Sequence, residues 1–230
     1  MVDAVVAVSE SRASELAALR TAVSSCAACR LAETRIQVVF GSGDPDAELM
    51  FVGEAPGFHE DQQGLPFVGA AGKLLERLLG EIGLTRDDVF IGNVLKCRPP
   101  GNRDPLGDEI EACQAHLFRQ IELIQPRVVA TLGNFATKLL SGNPTGITRV
   151  HGSEQEVRLG QSQVLLYPIY HPAAALYTQA MLRVLEEDFR RLPELLGRRQ
   201  APGTPVEAAP EPAHSEELGA QEAEPQLGLF

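Results

Sequence analysis

The sequence predicts an α/β fold, a three-layer sandwich with a central, mostly parallel four-stranded sheet flanked by helices. Three observations predict it. Strand-like and helix-like segments alternate along the chain. The strands read as continuous apolar runs, as expected where both faces of a sheet are covered. Residues of unusual chemistry fall just beyond the strand ends, where ligands bind in open α/β sheets.

The elements follow in order. Leu16, Leu19 and Val23 mark a helix over Ser14–Val23 by their spacing. Glu48-Leu-Met-Phe-Val52 is a buried strand running into Gly53-Glu-Ala-Pro-Gly57. Leu74, Leu75, Leu78, Leu79 and Ile82 share a helical face closed by Gly83. Val89–Val94 is the second strand. Asp108 opens a long helix with Ile110, Cys113, Leu117, Ile121 and Ile124 on one face, ended by Pro126. Val128–Leu132 is the third strand, followed by Gly133 and a short helix over Asn134–Leu140. Val164–Ile169 is the fourth, leading to His171-Pro172 and a last helix through Leu195. The unusual residues therefore converge at one end of the sheet: 53–57, 93–100, 133–134 and 171–172.

The chain has 230 residues and a net charge of −11, with 44 % hydrophobic and 22 % charged residues. Its last 31 residues hold six acidic side chains and no Lys or Arg, leaving 25 acidic against 20 basic, a net of −5, in residues 1–199. Binding to nucleic acid depends on a local basic patch and is not excluded by that balance, whereas a histone-like coat is. Residues 200–225, with Pro202, Pro205, Pro210 and Pro212 among Ala, Glu and Gly, read as a disordered acidic linker. Residues 226–230, Gln-Leu-Gly-Leu-Phe, break that pattern. No apolar run approaches the ~20 residues of a membrane span. Met1–Ser11 lacks a basic region ahead of its short Ala4–Val8 run, so no secretory signal is expected and the cytoplasm is.

Four cysteines occur: a Cys26-x-x-Cys29 pair, Cys97 and Cys113. Burial as an apolar thiol would account for Cys113 on its helix face. It does not account for two cysteines in the polar stretch between Ser25 and Arg30, which favours a four-thiolate metal site. Spacing alone leaves structural zinc and an iron–sulfur cluster both open.

Gly53-Glu-Ala-Pro-Gly57 with Glu60-Asp61, Asn93-Val-Leu-Lys-Cys-Arg-Pro-Pro100 with Asn102-Arg103, and His171-Pro-Ala173 stand in that order together with the four cysteines. In combination they resemble the family 4 uracil-DNA glycosylases, the iron–sulfur branch of the uracil-DNA glycosylase superfamily, from about Ser24 to about Leu195. The resemblance implies a glycosylase domain over 1–199 and a [4Fe-4S] cluster on Cys26, Cys29, Cys97 and Cys113. It also implies a uracil pocket of Gly53, Glu54, Ala55, Gly57, Phe67, Asn93 and His171.

The chemistry of the residues agrees with those implied roles. A glycosylase flips its base out of the stack to reach the glycosidic bond. Phe67 can stack on the flipped ring. The Asn93 amide matches N3–H and O4 of uracil, and cytosine reverses both groups. His171 can donate toward O2 as uracil leaves as an anion. One departure concerns the water. Family 1 enzymes carry a motif like Gly-Gln-Asp-Pro-Tyr, and Ala55 stands here at the place of its water-orienting Asp. Glu54 is the expected substitute, with Asp61, or unassisted attack on a dissociated oxocarbenium ion, as the other routes. Gly57 stands where family 1 has the Tyr that blocks thymine, which leaves thymine exclusion unexplained. A branch that traps DNA covalently carries a His-containing insertion, and residues 99–105 contain no His, so turnover without lyase activity is expected.

For DNA, Lys96, Arg98 and Arg103 are the expected phosphate contacts. Leu176 is the expected apolar wedge into the vacated stack, with Tyr177 second. His59 reads as a solvated loop side chain, His116 and His151 as ordinary surface or helix residues, and His214 lies in the tail. Gln226, Leu227, Leu229 and Phe230 resemble the peptide by which bacterial repair proteins dock on the sliding clamp, and a flexible tether would raise the local concentration of a monomeric enzyme on DNA. Two other readings fit the same sequence: a broader glycosylase for deaminated bases, and a non-catalytic, clamp-tethered iron–sulfur sensor of damage or redox state.

Overall fold

The computed structural model describes residues 2–197, with side chains from Ser9 onward. Six strands form one sheet in the order β1-β3-β2-β4-β6-β5. Its centre is parallel: β2 (Leu49–Gly53), β3 (Phe90–Asn93), β4 (Val128–Leu132) and β6 (Ser162–Ile169) are the four strands the sequence predicts. Two antiparallel edge strands are additional, β1 (Ser42–Gly43) on β3 and β5 (Gln155–Leu159) on β6. The sheet is therefore six-stranded and mixed, with the predicted parallel core inside it.

Alternation along β2 sorts the core into two halves. Met50 and Val52 face α1 (Val2–Ser24), α4 (Gly107–Ile124) and α5 (Asn134–Ser141), burying Leu16, Val23, Leu117, Ile121 and Leu140. Leu49 and Phe51 face α3 (Ala70–Glu81) and the last helix, burying Leu75, Leu78, Leu185 and Phe189. The layering is helix, sheet, helix, as predicted. Short helical turns fill the connections, α2 (Phe58–Gln63), α6 (Ile147–Val150) and α7 (Pro172–Ala175), and the last helix is α8 (Gln179–Gly197). The first helix begins earlier than its apolar spacing indicates, at Val2 instead of Ser14.

Register positions the functional end. Gly53 pairs with Asn93 across β2 and β3, and Leu132 with Ile169 across β4 and β6. The segments after all four parallel strands thus leave the sheet on one side. None of the helices with described residues is long and apolar enough to cross a membrane. The expectations for residues 200–225 and 226–230 fall outside the described residues.

Candidate active site and cysteine centre

A cavity of about 350 Å³ opens where β2, β3 and β6 end, a size suited to a small ring held by a few polar groups. Gly53, the last residue of β2, is forced to be glycine: a Cβ there would lie 2.4 Å from Asn93 Oδ1 and 2.9 Å from Phe67 Cζ. Beyond it the chain is clamped to the loop after β3, because Val94 N–H donates to the Gly53 carbonyl (2.9 Å) and Leu95 N–H to the Glu54 carbonyl (3.0 Å). The lining includes Glu54, Ala55, Gly57, Phe67, Asn93 and His171, so the residues expected at the pocket are together, with Gly53 directly behind them.

Asn93 is 2 % exposed, yet no described residue hydrogen-bonds its side-chain amide. Asn93 lines the cavity, so its amide is open to a partner bound there. Phe67 adopts a left-handed backbone conformation at φ 54°, rare for an aromatic residue. Three contacts hold it there. Arg86 donates to the Phe67 carbonyl at 2.8 Å and to that of Pro66. Gly72 admits the Phe67 carbonyl, which a Cβ would meet at 1.7 Å.

The Phe67 ring lies 5.5 Å from the His171 ring, tilted by 26°. Ala173 N–H donates to His171 Nδ1 at 3.1 Å, so in the neutral ring the proton sits on Nε2. Burial pushes the imidazole down to about 4, against a smaller opposing pull from Glu60, and the ring is neutral at physiological pH. Glu54 is raised above its ordinary value, first by burial and then by repulsion from Asp104, and no described residue hydrogen-bonds its carboxylate. Of the two water-orienting candidates, Asp61 is excluded by geometry. It is 2 % exposed and accepts from Ile36 N–H (2.9 Å) and Gln37 N–H (3.4 Å), away from the cavity.

Glu60 is a pocket residue that the sequence reading did not single out. Its Oε1 accepts from Val68 N–H (3.0 Å) and Gly69 N–H (3.1 Å), and its Oε2 lies 2.7 Å from where a Gly57 Cβ would be. It ties the loop carrying Phe67 to the Gly57 turn. Its place in the Gly57–Asp61 motif was the available signal.

The expected phosphate contacts need correcting. Lys96 is 1 % exposed and turned inward, its ammonium on the Asn93 carbonyl and Gln120 Oε1, so it cannot reach a phosphate. Arg103 lines the cavity, but its guanidinium forks onto the fully buried Glu109 at 2.9 and 2.5 Å, which spends its charge locally. Arg98 remains available. It stacks over the half-exposed Phe58 ring at 5.1 Å, donates to Asn102 Oδ1, and meets no carboxylate among the described residues. Leu176 is only partly exposed at the end of α7, whereas the neighbouring Tyr177 is 93 % exposed.

All four cysteines line a second, small cavity with Arg35, Lys96 and His116. Cys26 and Cys29 follow α1, Cys97 follows β3, and Cys113 lies on α4. Three N–H groups reach the sulfurs: Arg35 on Cys97 at 3.3 Å, the Lys96 amide on Cys113 at 3.3 Å, and His116 Nε2 at 3.4 Å from Cys26. His116 is thus part of this centre and not an ordinary helix residue. Soft donors with N–H groups aimed at sulfur fit a thiolate-bound metal group.

A family model described as the uracil DNA glycosylase superfamily matches residues 40–192. The chain belongs to that superfamily. Its relatives include a type-4 uracil-DNA glycosylase of Sulfurisphaera tokodaii, 50 % identical over 77 % of this chain and 83 % of its own. A type-4 uracil-DNA glycosylase of Saccharolobus solfataricus is 49 % identical over 77 % of this chain and 84 % of its own. One from Archaeoglobus fulgidus is 48 % identical over 77 % and 92 %. The superfamily membership thus covers the sheet, the cavity and the loops that carry Asn93 and His171.

Proposed function

We propose that the protein is a uracil-DNA glycosylase of DNA repair, hydrolysing the bond between uracil and deoxyribose to give free uracil and an abasic site. The observation that carries this reading is the unpartnered Asn93 amide at the wall of a cavity that Phe67 and His171 also line. A flipped uracil stacks on Phe67 and pairs its N3–H and O4 with Asn93. Cytosine in the same place would leave buried polar atoms unpaired. His171 Nε2–H donates toward O2 as the base departs, an aimed donor worth on the order of 3 kcal/mol. Glu54, raised by burial and without a hydrogen bond from any described residue, is the base that orients water on the sugar.

Cys26, Cys29, Cys97 and Cys113 would hold a [4Fe-4S] cluster, which supplies cross-linking of the loops that bear the site. Arg98 is the phosphate contact on the rim, and Tyr177, in place of Leu176, is the wedge. The peptide 226–230 is a docking segment for the sliding clamp, supported by its three large apolar residues after an acidic linker.

The test is uracil release by Asn93→Ala and His171→Ala. Both variants are expected to stay folded and to lose most of their activity. Normal release by both would sink the pocket assignment.

A further inference from the structure

Lys96 is left without a role once its reach to DNA is excluded. It is 1 % exposed, and no carboxylate pairs with it among the described residues. Burying an ammonium is costly even beside the cysteine sulfurs, so the bonds it makes are informative. Its Nζ donates to the Asn93 carbonyl at 2.8 Å, closing the turn 93–96, and to Gln120 Oε1 at 2.5 Å. Gln120 is itself fully buried and anchored by its Nε2 on the Phe40 carbonyl at 2.8 Å. The Lys96 backbone is fixed as well: its N–H donates to Cys113 Sγ at 3.3 Å and its carbonyl accepts from Val39 N–H at 2.8 Å. One residue therefore joins the peptide of Asn93, α4 and two of the four cysteines, Cys97 being its neighbour. Among the described residues the Asn93 amide has no partner at its tip, so its aim is set from behind.

Resting on the function proposed above, we infer that Lys96 is a positioning residue. It holds the Asn93 peptide, and through it the amide that reads uracil, in fixed relation to the cysteine centre.

A double-mutant cycle tests this with the full, metal-loaded chain. Lys96→Met keeps the side-chain length and removes the donors. It is expected to lower kcat for uracil release about tenfold, the order of the one charge-assisted hydrogen bond, of the two removed, that reaches the Asn93 carbonyl. Affinity for the DNA strand, iron and sulfide content should be unchanged, and hydrogen exchange should speed up over residues 93–97. In the Asn93→Ala background the same change is expected to cost nothing further, because contacts acting through one residue are not additive. An equal loss in both backgrounds, or no loss in either, would overturn the assignment. Should Lys96→Met fail to fold, Gln120→Leu enters the same cycle, with a smaller loss that again vanishes without Asn93 expected. A parent protein that releases no uracil would overturn both the function and this role; an active parent with an additive cycle would overturn the role of Lys96 alone.

Discussion

The proton on His171 has one place to go. Ala173 N–H occupies Nδ1, burial keeps the ring neutral down to about 4, and Nε2–H is left to donate into the cavity. Removing that donor in His171→Ala is expected to lower kcat by about 10²–10³ with the fold intact, measured by single-turnover uracil release and thermal melting. The pH dependence follows from the two titrating groups. Glu54 must be deprotonated to act as base, so activity falls as pH drops through a range above the ordinary carboxylate value. His171 adds no inflection near 6.5, because it is already neutral there. A kcat/KM profile with its acid limb abolished by Glu54→Gln is the expected result. A limb near 6.5 that survives Glu54→Gln would contradict the assignment. At this scale Asn93 and His171 stood out by position at strand ends, and Phe67 only through the family resemblance. The sequence misled on Lys96, because a basic residue in a polar-looking loop reads as surface until its partner Gln120 is brought in from the middle of α4; Arg103 pairs with Glu109, only six residues on.

Elements place these residues by a few enforced contacts. Phe67 leaves the common backbone regions only because Arg86 holds two carbonyls and Gly72 yields space for one of them. Arg86→Ala is expected to destabilise the protein by about 1–3 kcal/mol, since it strips a charged donor from two partly buried acceptors. It should also weaken uracil release, read as a lower kcat and a lower denaturation midpoint. An unchanged midpoint would show that the loop holds without it. The four parallel strands were readable because continuous apolar runs mark two-sided burial. β1 has two residues and offers no pattern. β5 did carry one, with Val157 and Leu159 inward between exposed Glu156 and Arg158, and Gly160 at φ 60° turning the chain into β6. That alternation is the signal of an edge strand with one wet face, and a search for continuous apolar runs passes over it.

Across the whole molecule, two centres share one set of loops. The segment from Asn93 to Cys97 ends a strand in the pocket and begins the cysteine site, while Cys26, Cys29 and Cys113 bring in α1 and α4. Loss of the [4Fe-4S] cluster proposed for the four cysteines is therefore expected to lower Tm, with visible absorbance and tertiary structure lost together on heating. Melting that leaves the absorbance intact would separate the two. Deleting residues 226–230 should leave uracil release from oligonucleotides unchanged and remove binding to the sliding clamp; an unaltered clamp affinity would end the tether reading. The central claim is tested most directly by free uracil released from a uracil-containing DNA strand, with matched cytosine and thymine strands as controls. Release from the uracil strand alone, without strand cleavage, is the predicted result. No uracil from protein shown to hold its metal would contradict it.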